Sequence, residues 1–161
     1  MDLWVLPMGE GERKPVQYLT TGFRLRHGSF SPDGRWVMYA SNVSGREEIY
    51  VSPFPDASVA PAVLVSTEGG TYPRWQRDGR AIYYLSPDSK LMEVEVLRGP
   101  SFKVGIPKPL FEVRVRTYPD AAGWLWDITP DGQRFLFNIA TDQRINAPLT
   151  VITNWQSRLK K

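Results

Sequence analysis

The sequence predicts an all-β fold made of repeated four-stranded antiparallel units, and three observations carry that prediction. A hairpin phrase recurs three times along the chain, as FSPDGRWVMYAS, RWQRDGRAIYYLS and DITPDGQRFLFNIA. Aromatic residues, which favour strands, make up 12% of the chain. Fourteen prolines and thirteen glycines supply frequent turns, so many short strands are expected rather than long helices.

The three phrases align on an Asp-Gly pair that begins at Asp33, Asp78 and Asp131, with spacings of 45 and 53 residues. Repeats of this period are typical of β-propeller blades. The Asp side chain can bond its own backbone and the glycine takes a left-handed conformation, so the pair predicts a tight turn. Each phrase is therefore expected to form strand, turn and strand.

Large apolar residues keep the same register around each turn. They lie three residues before the Asp and four and six residues after it: Phe30, Trp75 and Ile128, then Val37, Ile82 and Phe135, then Tyr39, Tyr84 and Phe137. This period of two predicts strands with a buried face.

Further strands are expected after each hairpin. Third strands are predicted at 47–54, 90–97 and 148–155, and fourth strands at 60–67 and 108–115. The segments 2–8 and 14–21 align with third and fourth strands, so the chain is predicted to open inside a unit. The prediction is thirteen strands in one domain, 1–161, divided into outer strands of a preceding blade (1–21), two blades (27–67 and 72–115) and an incomplete last blade (124–155).

The phrase FSPDGRWVMYAS followed by EIYVSPFP resembles the WD40-like, PD40 β-propeller repeat of TolB-type proteins. The whole chain is similar to the C-terminal propeller part of bacterial proteins that join a propeller to a serine/threonine kinase or a transcriptional-regulator domain. The phrases VSTEGGTYPRWQRDGRAIYYLSPDSKLMEVEV and GIPKPLFEVRV carry the same resemblance. The resemblance implies a closed ring of six blades and favours a periplasmic or other extracytoplasmic location, whereas the repeats in this sequence predict a partial propeller of about three four-stranded blades.

About three blades leave two apolar end faces, and such faces usually have a partner. One hypothesis is a homodimer in which two copies close one six-bladed ring. Each copy would donate Val16–Thr20 to the incomplete last blade of the other, although 2–8 then competes with 148–155 for the third-strand place. The alternative is that the chain is a fragment of a longer propeller. Besides a second copy, a protein or peptide is the expected kind of partner.

Several kinds of chemistry are not predicted. The chain has no cysteine and one histidine, His27, so the usual zinc sites are not expected within one copy. The Asp residues of the turns lack the spacing of a calcium loop. No metal, cofactor, membrane span or signal peptide is predicted, and a scattered net charge of +3 argues against nucleic-acid binding.

Catalytic motifs are also missing from the sequence. We find neither the HRD and DFG motifs of kinases nor the GxSxG elbow of propeller-capped serine peptidases. The adjacent Glu47 and Glu48 would point to opposite faces of a strand, and Glu93 and Glu95 are interpreted as its solvated side. His27 is interpreted as structural, because a catalytic base needs a positioned partner.

The candidate ligand site lies on the first strands of the blades, which line the channel of a propeller. The predicted rim residues are Arg26, His27, Tyr72, Arg74, Trp124, Trp126 and Asp127. Aromatic residues mixed with arginine suit the binding of peptides, sugars or anions. The alternative for Tyr72 and Trp126 is packing between blades.

The sequence therefore predicts a non-catalytic protein- or ligand-binding module, the sensing or scaffold end of a bacterial signalling protein, and not an enzyme. Two alternatives stay open. One is the propeller part of a hydrolase or lyase whose active site forms only in the assembled ring or in a missing domain. The other is a purely structural repeat fragment.

Overall fold

The computed structural model describes residues 2–9, 13–97, 99, 101–113, 115 and 125–139. All regular secondary structure within these ranges is β-strand, so the predicted all-β class is confirmed. The thirteen strands are β1 (Asp2–Val5), β2 (Val16–Thr20), β3 (Leu25–Phe30), β4 (Trp36–Ser41), β5 (Glu48–Pro53), β6 (Val63–Leu64), β7 (Thr71–Trp75), β8 (Ala81–Leu85), β9 (Lys90–Leu97), β10 (Lys103–Val104), β11 (Lys108–Glu112), β12 (Trp126–Ile128) and β13 (Phe135–Phe137).

The first complete sheet contains four antiparallel strands in the order β3-β4-β5-β6. Strands β4 and β5 pair along their whole length, from Trp36 opposite Pro53 to Ser41 opposite Glu48. The outer strand β6 is only two residues long, and it lies inside the predicted fourth strand.

The second sheet follows the order β7-β8-β9 and then divides at its outer edge. Strand β11 pairs with the first half of β9, as Lys108 opposite Glu93 shows, and β10 pairs with the end of β9, where Lys103 lies opposite Leu97. The sequence predicted β11 as the fourth strand but did not predict β10. Eight residues in β9 are long enough to hold both partners end to end.

Two further sheets of the described residues have two strands each: β1-β2 precedes the first complete sheet and β12-β13 follows the second, and we call these two the end sheets. The predicted third strand of the last unit, at 148–155, lies outside the described residues. The structure describes thirteen strands, the same number as predicted, but the two sets differ. The described set includes β10, which was not predicted, and does not include the predicted strand at 148–155. The predicted unit boundaries stay predictions.

The Asp-Gly turns have the geometry that their sequence predicts. The glycines after Asp33, Asp78 and Asp131 have φ values of 69°, 71° and 72°, which is the left-handed region that favours glycine. In the first turn Ser31 Oγ donates to Asp33 Oδ1 over 2.6 Å, and this bond, with help from Arg35, lowers the pKa of Asp33 to about 2. The turn role explains these carboxylates.

The sheets stack face to face, and alternate residues of each strand face opposite neighbours. Residues four and six after each turn Asp face the preceding sheet. In β4 and β8 the residue between them faces the next sheet. In β4, Tyr39 faces the β1-β2 hairpin while Met38 faces the second sheet. The sequence predicted one buried face per strand, but the central sheets bury both because each lies between two others.

Candidate functional site

The first strands of successive sheets form the inner edge of the stack. Strand β7 lies against both β3 and β12. His27 in β3 and Tyr72 in β7 occupy the same repeat position, six residues before the turn Asp, and both have left-handed backbone angles, with φ of 54° and 51°. The pairing register shifts at both places, so each residue sits in a β-bulge. Non-glycine residues in this conformation cost on the order of 1–3 kcal/mol and are concentrated at functional sites.

The two bulges bring His27 and Tyr72 into contact. Their ring centroids are 4.5 Å apart at an interplanar angle of 44°. Burial, with the positive charges of Arg26 and Arg74, lowers the pKa of His27 to about 4. Burial also raises the pKa of Tyr72. At neutral pH the pair is therefore an uncharged imidazole against a protonated phenol.

Two ion pairs flank this aromatic contact. Arg26 Nε lies 4.0 Å from Glu47 Oε1, and Arg74 Nε lies 3.7 Å from Asp127 Oδ1. The side chains of Arg26 and Arg74 are 29% and 24% exposed, so both side chains are partly accessible to solvent. We call Arg26, His27, Glu47, Tyr72, Arg74 and Asp127 the inner-strand cluster.

Arg74 and Trp126 also connect the second sheet to the last one. Both Arg74 Nε and Nη2 donate to the carbonyl oxygen of Trp126, over 3.3 and 3.1 Å. In return, Trp126 Nε1 donates to the carbonyl oxygen of Tyr72 over 3.0 Å. Trp126 is 3% exposed and packs with Tyr72 in the core between these sheets, so packing accounts for both aromatic residues.

Of the seven predicted rim residues, the structure describes six at this inner edge, and Trp124 lies outside the described residues. Their role in binding a ligand stays a prediction. The sequence analysis missed Glu47 as a member. It also missed the bulges, although the shared position of His27 and Tyr72 before their turns was a signal for equivalent placement.

Glu48 has a structural role that the sequence did not reveal. Its carboxylate is buried and accepts bonds from Arg46 Nε over 2.7 Å, from the Gly69 amide over 2.9 Å and from Ser66 Oγ. These groups hold the connection from the first complete sheet to the second. Glu47 and Glu48 therefore have different environments. Glu47 pairs with Arg26 at the inner edge, whereas Glu48 is buried against the connection between the two sheets.

Two other kinds of site are absent from the described residues. Within the described residues, no group of three or more histidine, cysteine, aspartate or glutamate side chains is arranged to hold a metal ion. That part of the chain also contains no helix long and apolar enough to cross a membrane.

Comparison with solved structures supports a propeller-type fold. A protein from Bacteroides uniformis, proposed to be a 6-phosphogluconolactonase, matches with a TM-score of 0.55 and 15% identity over 84% of this chain and 40% of its own. An oligogalacturonate lyase from Vibrio parahaemolyticus matches with a TM-score of 0.44 and 19% identity over 58% of this chain and 27% of its own. This chain thus covers less than half the length of either neighbour. No family model and no curated protein matches it.

The prediction that this chain is not an enzyme was wrong. The Bacteroides uniformis neighbour carries the name of an enzyme, so the fold that it shares with this chain gives no ground for a non-catalytic assignment. That prediction depended on the lack of a motif within one stretch of sequence. In a propeller, however, inner strands from several blades can contribute to one site, and their residues are far apart in sequence.

At this level of likeness the neighbours establish the fold alone, and the chain is an all-β protein of the propeller type.

Proposed function

We propose that this chain is the propeller part of an enzyme of the hydrolase or lyase class, with its active site on the inner strands of the assembled ring. The name of the Bacteroides uniformis neighbour supports this class, since a lactonase opens a cyclic ester. We further propose that the repeat is of the TolB, PD40 type, from the resemblance of its turn and strand phrases.

The inner-strand cluster carries the proposal. Two guanidinium groups from neighbouring sheets, on Arg26 and Arg74, act electrostatically on one imidazole, His27. Arginine binds carboxylate and phosphate groups through its planar set of donors. We therefore propose an anionic sugar derivative as the substrate class, held by these two arginines.

His27 supplies a proton acceptor beside that anion site. Because its pKa is about 4, the imidazole is neutral at pH 7, and a neutral imidazole has one nitrogen that donates and one that accepts. A base of low pKa is a weak one, so its contribution is to position a nucleophile or polarise a hydroxyl group. The protonated Tyr72 supports the ring from one side.

Turnover of anionic and neutral substrates tests this proposal. The purified chain would be assayed with a phosphorylated aldonolactone, the matching unphosphorylated lactone and an oligouronate. We expect activity on a charged substrate and a loss of about tenfold or more in kcat/KM for Arg26→Gln, a change of roughly 1.4 kcal/mol in transition-state binding.

The control is Arg77→Gln, which removes an exposed arginine from the second Asp-Gly turn. It should leave kcat/KM unchanged, and both variants should keep the wild-type melting temperature. Binding of the charged sugars without turnover, or equal turnover by all three proteins, would overturn the proposal.

A further inference from the structure

The two end sheets of the chain are complementary halves of one blade. By alignment with the complete sheets, β12 and β13 are first and second strands, whereas β1 and β2 are third and fourth strands. In both complete sheets the second strand pairs with the third, β4 with β5 and β8 with β9. Within the described ranges, β13 and β1 each pair along one edge only.

We propose that β13 of one copy pairs with β1 of a second copy, so that two half sheets join into a complete four-stranded blade. Within the described residues each copy has two complete sheets, with one two-stranded sheet before them and one after them. Two copies that pair through both half sheets would therefore form six blades from these residues, of which two are shared between the copies. The contact is head-to-tail and closes after two copies, which keeps the assembly finite.

The repeat alignment predicts the register of the new pairing. Tyr39 lies opposite Tyr50 in the first complete sheet, and their rings stack with centroids 5.9 Å apart. The equivalent residues in the two halves are Phe137 and Trp4, so the joined blade would place an aromatic pair at the same position. Cross-strand aromatic pairs of this kind stabilise sheets.

Exposure of these equivalent residues points to the same partner. Tyr50 is 9% exposed, whereas Trp4, at its equivalent position, is 57% exposed. In the joined blade Trp4 would lie on the face of Phe137, which already packs towards the second sheet of its own copy. Trp4 would thereby enter an existing apolar cluster.

The opposite face gives an independent indication. Met38 lies opposite Val51 and both are fully buried, whereas Leu136, equivalent to Met38, is 74% exposed. The joined blade would place Leu136 opposite Val5 of the second copy. Leu136 would then face the first complete sheet of that copy, where Leu3 from the same hairpin already packs.

This assignment refines the strand donation expected from the sequence. Strand β2, which contains Val16–Thr20, pairs with β1 in its own copy. The donated unit is therefore the whole hairpin, and β1 forms the contact. The competing occupant of the edge of β13 is the segment 148–155 of the same chain, which the sequence predicts as a third strand.

The mass in solution tests the proposal and needs no substrate, so its result is separate from that of the proposed enzyme activity. By light scattering we expect twice the chain mass of 18.4 kDa. Trp4→Glu and Leu136→Glu should each halve the measured mass. The matched controls are Ile106→Glu and Val59→Glu, which replace residues 83% and 70% exposed outside the two half sheets and should leave the dimer intact.

Mixing the two disruptive variants identifies the geometry. A pair made of one Trp4→Glu copy and one Leu136→Glu copy has both substitutions in one shared blade, and its other shared blade is unaltered. We expect the mixture to recover dimer that neither variant forms alone.

Three results would overturn the proposal. A wild-type monomer at all concentrations, with Trp4→Glu silent, would exclude pairing of β13 with β1 of a second copy. Disruption by Trp4→Glu with no effect of Leu136→Glu would indicate a contact between like surfaces. Two variants that both retain wild-type circular dichroism but show no recovery on mixing would exclude the shared blade.

Discussion

The first complete sheet and the two end sheets contain the same repeat positions in different surroundings. Met38 and Leu136 each lie five residues after a turn Asp, yet one is fully buried and the other is largely exposed. Both are large apolar residues on a second strand. The difference comes from the neighbouring sheet, which is present beside β4 and absent from the described residues beside β13. Whether a repeat residue is buried therefore depends on the sheet that packs beside it.

The largest expected effect is the difference in stability loss between alanine substitutions at Met38 and at Leu136. Met38→Ala should lower the free energy of unfolding by about 3 kcal/mol, because it leaves a cavity between two sheets. Leu136→Ala should lower it by less than about 0.5 kcal/mol in dilute solution, where copies are separate. Urea titrations of both variants would measure the difference. Equal losses would contradict the comparison.

The buried carboxylate of the first sheet provides the second test. Glu48→Ala should cost about 3 kcal/mol, because it removes a buried partner from Arg46, Ser66 and Gly69. As a control, Arg35→Ala breaks an exposed pair with Asp33 and should cost about 0.5 kcal/mol or less. Thermal unfolding of the two variants would separate a structural carboxylate from a surface one, and similar melting temperatures would refute the assignment.

The close approach of the first two sheets provides the third test. A Cβ atom at Gly70 would lie 2.9 Å from both Ile49 and Tyr84, whereas one at Gly22 would meet nothing within 4 Å. Gly70→Ala should therefore cost about 2 kcal/mol through overpacking. Gly22→Ala should be neutral or slightly stabilising. The two unfolding midpoints in urea would show whether that contact is as tight as described.

The last expected effect concerns His27 and depends on pH. Its pKa is about 4 in the folded chain against an ordinary value of 6.5, so the unfolded chain binds more protons between these values. The stabilisation is complete above pH 6.5 and is lost as the pH falls towards 4, by ~2 kcal/mol when partial solvent exposure is allowed for.

His27→Asn should remove this dependence, since asparagine tolerates the left-handed backbone and does not titrate. Unfolding free energies at pH 7 and pH 4.5 would measure it in both proteins. If wild type and variant lose the same stability, His27 is not the group responsible.

Local chemistry made most of the fold predictable. The turn at Asp33-Gly34 and the strands on both sides of it follow from residues within a dozen positions. The position of β10 could not be predicted in this way. Lys103 and Val104 form a strand because they pair with Leu97 and Val96 at the end of β9. The His27 bulge and the Glu48 bonds were equally hidden, because their partners lie on other strands or connections.

The sequence by itself determined the antiparallel hairpins, their turns and the repeat that relates them. These features depend on backbone preferences and on alternation along one strand, which are local properties. Only the tertiary structure decided which faces are buried, that Tyr72 contacts His27, and that β1-β2 and β12-β13 are two-stranded sheets within the described residues. Those features depend on contacts between residues far apart in the chain, and identical repeat positions acquire different roles when their neighbours differ.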